Sequence, residues 1–573
     1  MNDIKKAVLL LSPKLKIKFV ILIILVLLST ILEMLSISLL IPILNILTGT
    51  LENTVEFLNK NNLSFLIPYL DFKKILLIFL GIYVLKIIFR LYLIHYQNDF
   101  IFTFFTILLN RLYKKYIFKD YLFHLKNNSG TLMRNLISEI HQCAIGFMGS
   151  ISSIIIEFII IIGLISILIF YKPYEVITFV ILTGFVASII ISIIKKKTKL
   201  LGIDRQKFSL TNVNNIVQSF GGIKEIKVNL KESEVIKKFY LNSLDIKKTN
   251  YLFQVLVQMP KLILELLLII SIVGLLFYLI SSGMPSSEII IFFGLLIGIF
   301  SRVMPSVYKL SSSYINLSYF KPAVELLFEE LVNVDENELD KKDLNQKNDN
   351  EIKFINKIEM KEVSFMYPET KSEILSKANL IINKGDKIGI YGESGSGKST
   401  IIDILIGLLK PTKGQILIDG KDIKTNEENW FSKIGYVPQN VFMNDEDIKN
   451  NIIFYDDNTD LQRYNEAIKI AQLEALILDE KNKDNSNIGE RGVQLSGGQR
   501  QRIGLARSLY KQSEILIFDE ATNALDEKNE TNFLNSVFSL KSDKTIIIIS
   551  HKKTILNKCN RIFTVKEKKI IEI

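Results

Sequence analysis

Cysteine, histidine and tryptophan are scarce in this chain of 573 residues, which has two cysteines, four histidines and one tryptophan. Two cysteines, Cys143 and Cys559, exclude a disulfide framework and a cysteine-based zinc site. We expect both to be free, buried thiols. The sequence also lacks the short apolar core and small-residue cleavage site of a secretory signal peptide, so the first apolar run is interpreted as a retained membrane span.

Acidic residues are outnumbered by basic ones, and the formal net charge is +11. Such a balance is typical of proteins that bind nucleic acid or a membrane surface. Many of the lysines and arginines flank long apolar runs, which favours membrane lipids as partners and argues against nucleic acid. The chain is 49% hydrophobic, and the apolar residues concentrate in residues 1–320. We therefore expect two domains, one embedded in the membrane and one in water.

Six apolar runs are long enough to cross a hydrocarbon core, which needs about 20 residues of helix. They lie near 17–48, 74–97, 147–171, 174–197, 258–281 and 286–312. The connections after the second and fourth runs are long and basic, and the latter opens with Lys195-Lys196-Lys197. By the positive-inside rule these connections, both termini and the C-terminal domain face the cytoplasm.

The two long cytoplasmic connections are too polar to cross lipid and are predicted to be helical extensions of the spans. Each is expected to turn back through a short helix, near Tyr121–Asn127 and Asn214–Gly222. Between the first two spans, residues 53–70 indicate either an amphipathic helix on the outer leaflet or an ordinary loop. The predicted architecture is multidomain. An all-α six-helix transmembrane domain occupies 1–330, a charged linker 331–352, and an α/β P-loop domain 353–573.

The segment YGESGSGKST fits the phosphate-binding P-loop between a buried strand and a helix. Its glycines let main-chain N–H groups point at phosphates, and the helix N-terminus adds positive potential. Lys398 is predicted to contact the phosphates and Ser399 to ligate Mg²⁺. The nucleotide-binding residues predicted here are Gly392, Glu393, Ser394, Gly395, Ser396, Gly397, Lys398, Ser399 and Thr400.

An apolar strand pattern, ILIF, ends in Asp519 and Glu520. In a P-loop protein an acidic residue at this place holds Mg²⁺, which is the role predicted for Asp519. Glu520 is placed to polarise the attacking water as a general base. The sequence therefore predicts an ATPase that uses ATP and Mg²⁺.

Together with LSGGQ at 495–499, these motifs resemble the ATP-binding cassette (ABC) superfamily over the whole of 353–573. The resemblance implies that Tyr367 stacks on adenine and that His551 contacts the γ-phosphate. Gln439 matches the residue that senses Mg²⁺, and Asp526 belongs to the D-loop.

In this family LSGGQ closes over the ATP held by a second cassette, so the resemblance implies a dimer. The implied contacts to the partner's nucleotide come from Leu495, Ser496, Gly497, Gly498 and Gln499. Because every motif of this chain is intact, a homodimer is the simpler interpretation, and a heterodimer with a paralogue stays open.

Three basic residues, Arg90, Lys261 and Arg302, lie within or near apolar spans. Charge there is costly and usually functional, although a basic residue near a span end also extends to the lipid headgroups. If all three face one cavity, they suit an anion such as a pyrophosphate. Lys261 keeps the charge of an arginine but loses its bidentate geometry.

Six spans followed by a cassette resemble the exporter-type ABC half-transporters. The stretches FRLYLIHY, MPK…LE and SRVMPS resemble the bacterial flippases of lipid-linked oligosaccharides (PglK type), which serve protein glycosylation. The resemblance implies that a polyprenyl-pyrophosphate glycan moves from the inner to the outer leaflet. The alternative on the same frame is an exporter of peptides or of lipid A-type lipids. The six spans argue against a non-transport cassette ATPase, and intact Glu520 and His551 argue against a gated channel.

Overall fold

Two compact units make up the computed structural model, and each is described by itself. The first is Met1–Lys119 with Lys126–Leu344, and the second is Asp120–Leu125 with Asn345–Ile573. The structure describes residues 3–47, 49, 55, 59, 71–171, 173–281, 283, 286–332, 352–368, 370, 372–393, 395–478, 488–489, 492–522, 525, 527–540 and 543–573. Apart from two isolated positions, the predicted outer helix at 53–70 lies outside these residues.

Long helices form the first unit. The short helix α5 belongs to the second unit except for its last residue, Lys126. The helices are Asp3–Leu9 (α1), Pro13–Ser38 (α2), Leu40–Leu47 (α3), Phe72–Ile117 (α4), Tyr121–Lys126 (α5), Ser129–Arg134 (α6), Gly149–Tyr171 (α7), Pro173–Gly221 (α8), Ile223–Val228 (α9), Glu232–Ser281 (α10) and Ser286–Leu331 (α11). Two π-helical segments, Asn135–Glu139 and Gln142–Met148, lead into α7. Helix α2 begins where the sequence supplies a cap, because the Ser12 side chain accepts a hydrogen bond from the Leu15 N–H and Pro13 occupies the first turn.

Five helical stretches of the described residues are long and apolar enough to cross a membrane: Pro13–Leu47, Phe72–Ile117, Ser129–Ile167, Glu232–Tyr278 and Phe292–Leu331. They overlap five of the six predicted spans, and one of these, 74–97, lies wholly within its helix. The remaining one, 174–197, falls in α8, whose first half has side chains that lie largely outside the described residues. The count of six spans therefore stays a prediction.

Of the two short helices predicted to turn the long connections back, the first lies where it was predicted and the second does not. The first, α5, lies at Tyr121–Lys126 as expected. The second was misplaced, because 214–221 continue helix α8 and the short helix is Ile223–Val228. The Gly221-Gly222 pair does end the long helix, but the polar residues before it remain helical.

Two parallel-packed helices of the first unit approach each other closely at Gly202. A Cβ atom at this position would collide with the main-chain carbonyl of Tyr319, so α8 and α11 can lie this close only because residue 202 has no side chain. The stacked rings of Phe253 and Tyr319, with centroids 3.6 Å apart, bring α10 to the same contact. Glycine here therefore fixes how three long helices meet.

Two sheets carry the second unit. The strands are Lys357–Phe365 (β1), Leu375–Asn383 (β2), Lys387–Tyr391 (β3), Lys413–Ile418 (β4), Lys421–Asp422 (β5), Ile434–Val437 (β6), Ile515–Asp519 (β7), Thr545–Ile549 (β8), Arg561–Lys566 (β9) and Lys569–Glu572 (β10). An antiparallel sheet has the order β2-β1-β4-β5, and a larger sheet has the order β10-β9-β3-β8-β7-β6. Within the larger sheet all pairs except β9–β10 are parallel.

Helices cover the larger sheet, which explains why its central strands are buried along their whole length and almost entirely apolar. Every residue of β7 and β8 is buried, the pattern of parallel strands covered on both faces. The helices are Lys398–Ile406 (α12), Glu427–Ser432 (α13), Ile448–Ile453 (α14), Leu461–Ile470 (α15), Glu474–Leu478 (α16), Gly497–Tyr510 (α17), Glu527–Phe538 (α18) and Lys553–Leu556 (α19). Trp430 of α13 is buried in the core, where its indole N–H donates to the Leu405 carbonyl of α12 at 3.2 Å.

The contact at Gly202 gives a test of the helix packing. We expect Gly202→Ala to destabilise the protein by about 1–3 kcal/mol, because the added methyl group forces α8 away from α11. The matched control is Gly274→Ala in α10, where a Cβ meets nothing within 4 Å. Thermal unfolding in detergent measures both, and equal unfolding temperatures for the two variants would contradict the close approach.

Candidate functional site

The candidate site of the second unit lies where four neighbouring parallel strands end. Gly392 follows β3, His551 follows β8, Glu520 follows β7 and Gln439 follows β6. These strands stand side by side in the order β3-β8-β7-β6. Because the carboxyl ends of parallel strands share one edge of the sheet, motifs scattered over 392–551 meet at a single edge.

The P-loop joins β3 to α12 through glycines in the left-handed region. Gly395 has φ +79° and Gly397 has φ +97°, conformations that L side chains rarely adopt. The Lys398 ammonium is buried and donates to the carbonyls of Gly392 at 2.9 Å and Glu393 at 2.7 Å. Burial also lowers the pKa of Lys398. The loop thus folds around its own lysine, with the ammonium held at the start of the helix.

Three predicted catalytic residues meet at Glu520. Its Oε1 lies 2.7 Å from His551 Nε2, and its Oε2 accepts a hydrogen bond of 3.0 Å from the Gln439 side-chain amide. Glu520 has φ +51°, an uncommon conformation for a residue with a side chain, and its N–H donates to the Ile549 carbonyl of β8. The carboxylate is therefore held from both sides and pointed away from the strand.

Asp519, at the last position of β7, is buried and lies beside Ser399. The Tyr436 hydroxyl donates to its Oδ2 at 3.3 Å. Burial raises the pKa of Asp519, and the neighbouring Glu520 charge adds to the rise, while the hydrogen bonds from Tyr436 and Ser399 oppose it. A carboxylate beside a hydroxyl supplies the hard oxygen ligands that Mg²⁺ prefers.

A second acid, Asp403, is half-buried and was missed by the sequence analysis. It lies in α12 and interacts electrostatically with Asp519 and Tyr436. Burial, with a smaller contribution from Asp519, raises the pKa of Asp403 to about 6. In the sequence it is one polar residue in the run IIDILI, and only its helical spacing from Ser399 could have placed it on the same face.

Tyr367 lies near the P-loop helix. Its hydroxyl is 3.4 Å from the Thr400 hydroxyl, and its ring meets Phe365 edge to face with centroids 4.9 Å apart. This position leaves the ring partly buried at the margin of the core. An aromatic face at this place can stack on a flat base.

The LSGGQ motif forms the start of helix α17. Ser496 is the N-cap and shares a capping box with Gln499: the Ser496 N–H donates to Gln499 Oε1 at 2.7 Å, and the Gln499 N–H donates to Ser496 Oγ at 3.2 Å. A Cβ at Gly498 would lie 2.7 Å from the end of the Leu525 side chain, so a larger residue there would require Leu525 to shift. Leu495 is buried beneath the turn. Within the part of the chain that the structure describes, no hydrogen bond joins this motif to the P-loop.

Two of the predicted nucleotide-binding residues, Ser394 and Asp526, lie outside the described residues. The structure brings together Gln439, Glu520 and His551, and separately Ser399 and Asp519.

A polar cavity of about 610 Å³ lies in the first unit, among α2, α4, α7 and α11. Arg90 and Arg302 line it, as does Lys309, which lies about two turns after Arg302 in α11. Lys261 does not appear in its described lining. It lies on α10, half-exposed, 3.9 Å from Glu265 one turn away.

Two carboxylates beside this cavity were missed by the sequence analysis. Glu33 of α2 is buried, and its Oε1 lies 3.1 Å from Arg302 Nε and 3.6 Å from Lys86 Nζ. Glu157 of α7 lines the cavity, with its Oε2 3.9 Å from Arg302 Nη2. A single Glu inside an apolar run is the signal that could have found each of them.

Comparison with known proteins supports the cassette. Residues 375–523 match the family model for ABC transporters. The chain is similar to the α-hemolysin translocation ATP-binding protein HlyB of Escherichia coli O157:H7, with 41% identity over 206 residues, 36% of this chain and 29% of that protein. It is also similar to the leukotoxin translocation ATP-binding protein LktB of Mannheimia haemolytica, with 38% identity over 216 residues, 38% of this chain and 30% of that protein. The matches span less than a third of each relative's length.

The whole chain has the ABC exporter fold. The structure of a bacterial Atm1-family ABC exporter with ATP bound superposes with a TM-score of 0.78 at 20% identity, covering 97% of this chain and 95% of that one. The predicted fold class, a helical membrane-type domain with an α/β nucleotide-binding domain, is confirmed. The second unit is therefore similar in sequence to the ATP-binding domains of ABC transporters.

The raised pKa of Asp403 predicts a pH dependence. The pKa of Asp403 in the folded protein is about 6, so the folded residue keeps its proton up to about that pH, whereas the unfolded residue loses it near the ordinary aspartate pKa of 3.8. The free energy of unfolding therefore falls as the pH rises through this window, and the loss persists above it. We expect Asp403→Asn to be more stable than the wild type at about pH 8 and to lose that advantage at about pH 4.

Apparent Tm values of the detergent-solubilised chain without nucleotide measure this difference. Asp457→Asn, which changes an exposed carboxyl in a loop of the same unit, is the matched control. A stability difference between Asp403→Asn and the wild type that stays constant across this pH range would contradict the raised pKa.

Proposed function

We propose that the chain is an ATP-hydrolysing half-transporter of exporter type, working as a dimer in the bacterial inner membrane. The observation that carries the proposal is the meeting of Gln439, Glu520 and His551 at the strand edge that also bears the P-loop. The proposed domains are a six-span membrane domain at 1–330, a linker at 331–352 and a cassette at 353–573, with both termini in the cytoplasm.

The geometry of the cassette suggests how each residue acts on ATP. The phosphates take the place of the carbonyls of Gly392 and Glu393 on the Lys398 ammonium, while the glycine-rich loop offers main-chain N–H groups. Ser399 and Asp519 would hold Mg²⁺, which neutralises phosphate charge when it is bound. Tyr367 is placed to stack on the adenine.

Glu520 is the proposed general base for the attacking water. It is already held by Gln439 and His551, so the carboxylate needs little reorganisation to accept a proton. The cationic Lys398 makes the surrounding field favourable to the phosphates, and the proposed Mg²⁺ would offset the charge of Asp519. In the proposed dimer, the LSGGQ helix of one chain covers the nucleotide of the other. The capping box at Ser496 stabilises the N-terminus of that helix before the nucleotide binds.

For cargo we propose an anionic lipid-linked oligosaccharide, a polyprenyl-pyrophosphate glycan moved from the inner to the outer leaflet. The cavity supports this, because Arg90 and Arg302 line it together with amides and hydroxyls such as those of Gln97 and Asn316. Arginine suits a pyrophosphate, and the polar lining suits sugar hydroxyls. Lys261, predicted from sequence to join these arginines, is outside this lining and is a weaker candidate.

Export of polypeptides is the second candidate. It is favoured by the similarity to proteins whose names assign them to α-hemolysin and leukotoxin translocation. That similarity spans little more than a third of this chain, so it informs the cassette far more than the cavity.

Replacement of the proposed base tests the ATPase. We expect Glu520→Gln to bind ATP normally and to lose hydrolysis by about 10²–10⁴-fold, because the amide cannot accept the proton. Glu514→Gln, at the amino end of the same strand, is the matched control and is expected to hydrolyse ATP normally. Phosphate release and ATP binding are measured on the same detergent preparation, and near-normal turnover of Glu520→Gln would overturn the assignment.

A reconstitution experiment tests the cargo. In proteoliposomes we expect a lipid-pyrophosphate oligosaccharide to stimulate ATP hydrolysis and to be flipped, and we expect both effects to weaken in Arg90→Ala. Arg111→Ala, on the same helix but outside the described lining of the cavity, is the matched control. A high rate of ATP hydrolysis that does not change when the glycolipid is added would contradict this cargo. Polypeptides would then be the cargo to test next.

A further inference from the structure

We propose that Glu157 is an internal counter-ion that competes with anionic cargo for Arg302 and so sets which cargo the cavity accepts. The inference rests on the proposed function, since it concerns the same cavity. In addition to the basic residues, the carboxylate of Glu157 then contributes to the choice of cargo.

Arg302 lies between two carboxylates of different helices. Glu33 Oε1 is 3.1 Å from its Nε, and Glu157 Oε2 is 3.9 Å from its Nη2. The charge of this arginine is therefore already balanced from inside the chain. An anion that enters the cavity meets Arg302 together with its two carboxylates, so it must displace one of them to form a close pair.

Glu33 is the fixed partner of Arg302. Its side chain is 3% exposed and shares the same oxygen with Lys86 Nζ at 3.6 Å. Lys86 is in turn held by the Ser36 hydroxyl at 3.2 Å. Glu33 is absent from the described lining of the cavity. Because moving it would strand two buried cations, Glu33 stays in place when cargo binds.

Glu157 is the movable partner. It lines the cavity, so an entering group can reach it. Its Oε2 is buried yet accepts no hydrogen bond from the described residues, and 3.9 Å to Arg302 is at the long end for an ion pair. A buried carboxylate oxygen without a hydrogen bond is costly, so little binding energy is lost when Glu157 turns away.

Arg90 shows why the competition occurs at Arg302. Arg90 also lines the cavity, and no ion pair within 4 Å joins it to a carboxylate in the part of the chain that the structure describes. An anion can pair with Arg90 at once but reaches Arg302 only by displacing Glu157. A neutral lipid has no charge with which to displace it, so Glu157 makes the cavity discriminate by charge.

The test compares a charged and a neutral lipid on the full chain in detergent. Undecaprenyl pyrophosphate and uncharged undecaprenol are titrated, and the rise in apparent Tm is followed by circular dichroism against each variant's own lipid-free value. We expect Glu157→Gln to respond to the pyrophosphate at a several-fold lower concentration than the wild type, with no change for undecaprenol. Glu157→Asp, which keeps the charge, should stay near the wild type.

Glu265→Gln is the matched control, because its carboxylate is also 3.9 Å from a basic side chain, that of Lys261, but lies outside the described lining. If the wild type responds and Glu157→Gln responds no more tightly, the inference is overturned and the proposed cargo stands. If only Glu157→Gln responds, the inference stands and the proposed cargo is overturned. If the apparent Tm of neither the wild type nor Glu157→Gln rises more with the pyrophosphate than with undecaprenol, both the inference and the proposed cargo are overturned.

Discussion

A polar group removed from water needs a partner within the protein, and this requirement governs both units of the chain. In the first unit it makes the backbone helical through long apolar stretches and groups the charges of different helices around Arg302. In the second unit it places polar residues at the carboxyl ends of buried strands, where a ligand and the solvent can reach them. Asp519 is paired with Tyr436, and Glu520 with Gln439 and His551.

The strand ends and loops that carry the cassette motifs were predictable because these motifs depend on local backbone chemistry, and the roles of the single residues stay predictions. Glycine is needed at Gly397, where φ is +97°, and a strand buried on both faces needs the unbroken apolar run of β7. The order of motifs along the chain then determines which strand ends carry them. Asp403 could not be found this way, since its pKa is raised mainly by burial in the folded unit and to a smaller extent by Asp519, which is more than a hundred residues away in sequence.

The membrane unit was predictable as a set of helices and much less so as a cavity. Hydropathy locates spans, but it does not report which face of a helix meets which neighbour. Arg90 and Arg302 were found because a basic residue stands out in an apolar run, whereas Glu33 and Glu157 became significant only once three helices brought them to one arginine. The misplaced turn near Gly222 has a similar cause, because polar residues are compatible with both a helix and a loop.

Trp430 gives the chain a built-in optical probe. It is the single tryptophan of the sequence, it is buried, and its indole N–H is tied to the Leu405 carbonyl at the end of the P-loop helix. Indole fluorescence of the intact protein therefore originates from one point in the cassette core, although much of the chain lies in the other unit. Its emission reports on that core without any label, so its change on heating marks the loss of cassette structure, and far-UV circular dichroism of the same sample follows the helices of both units.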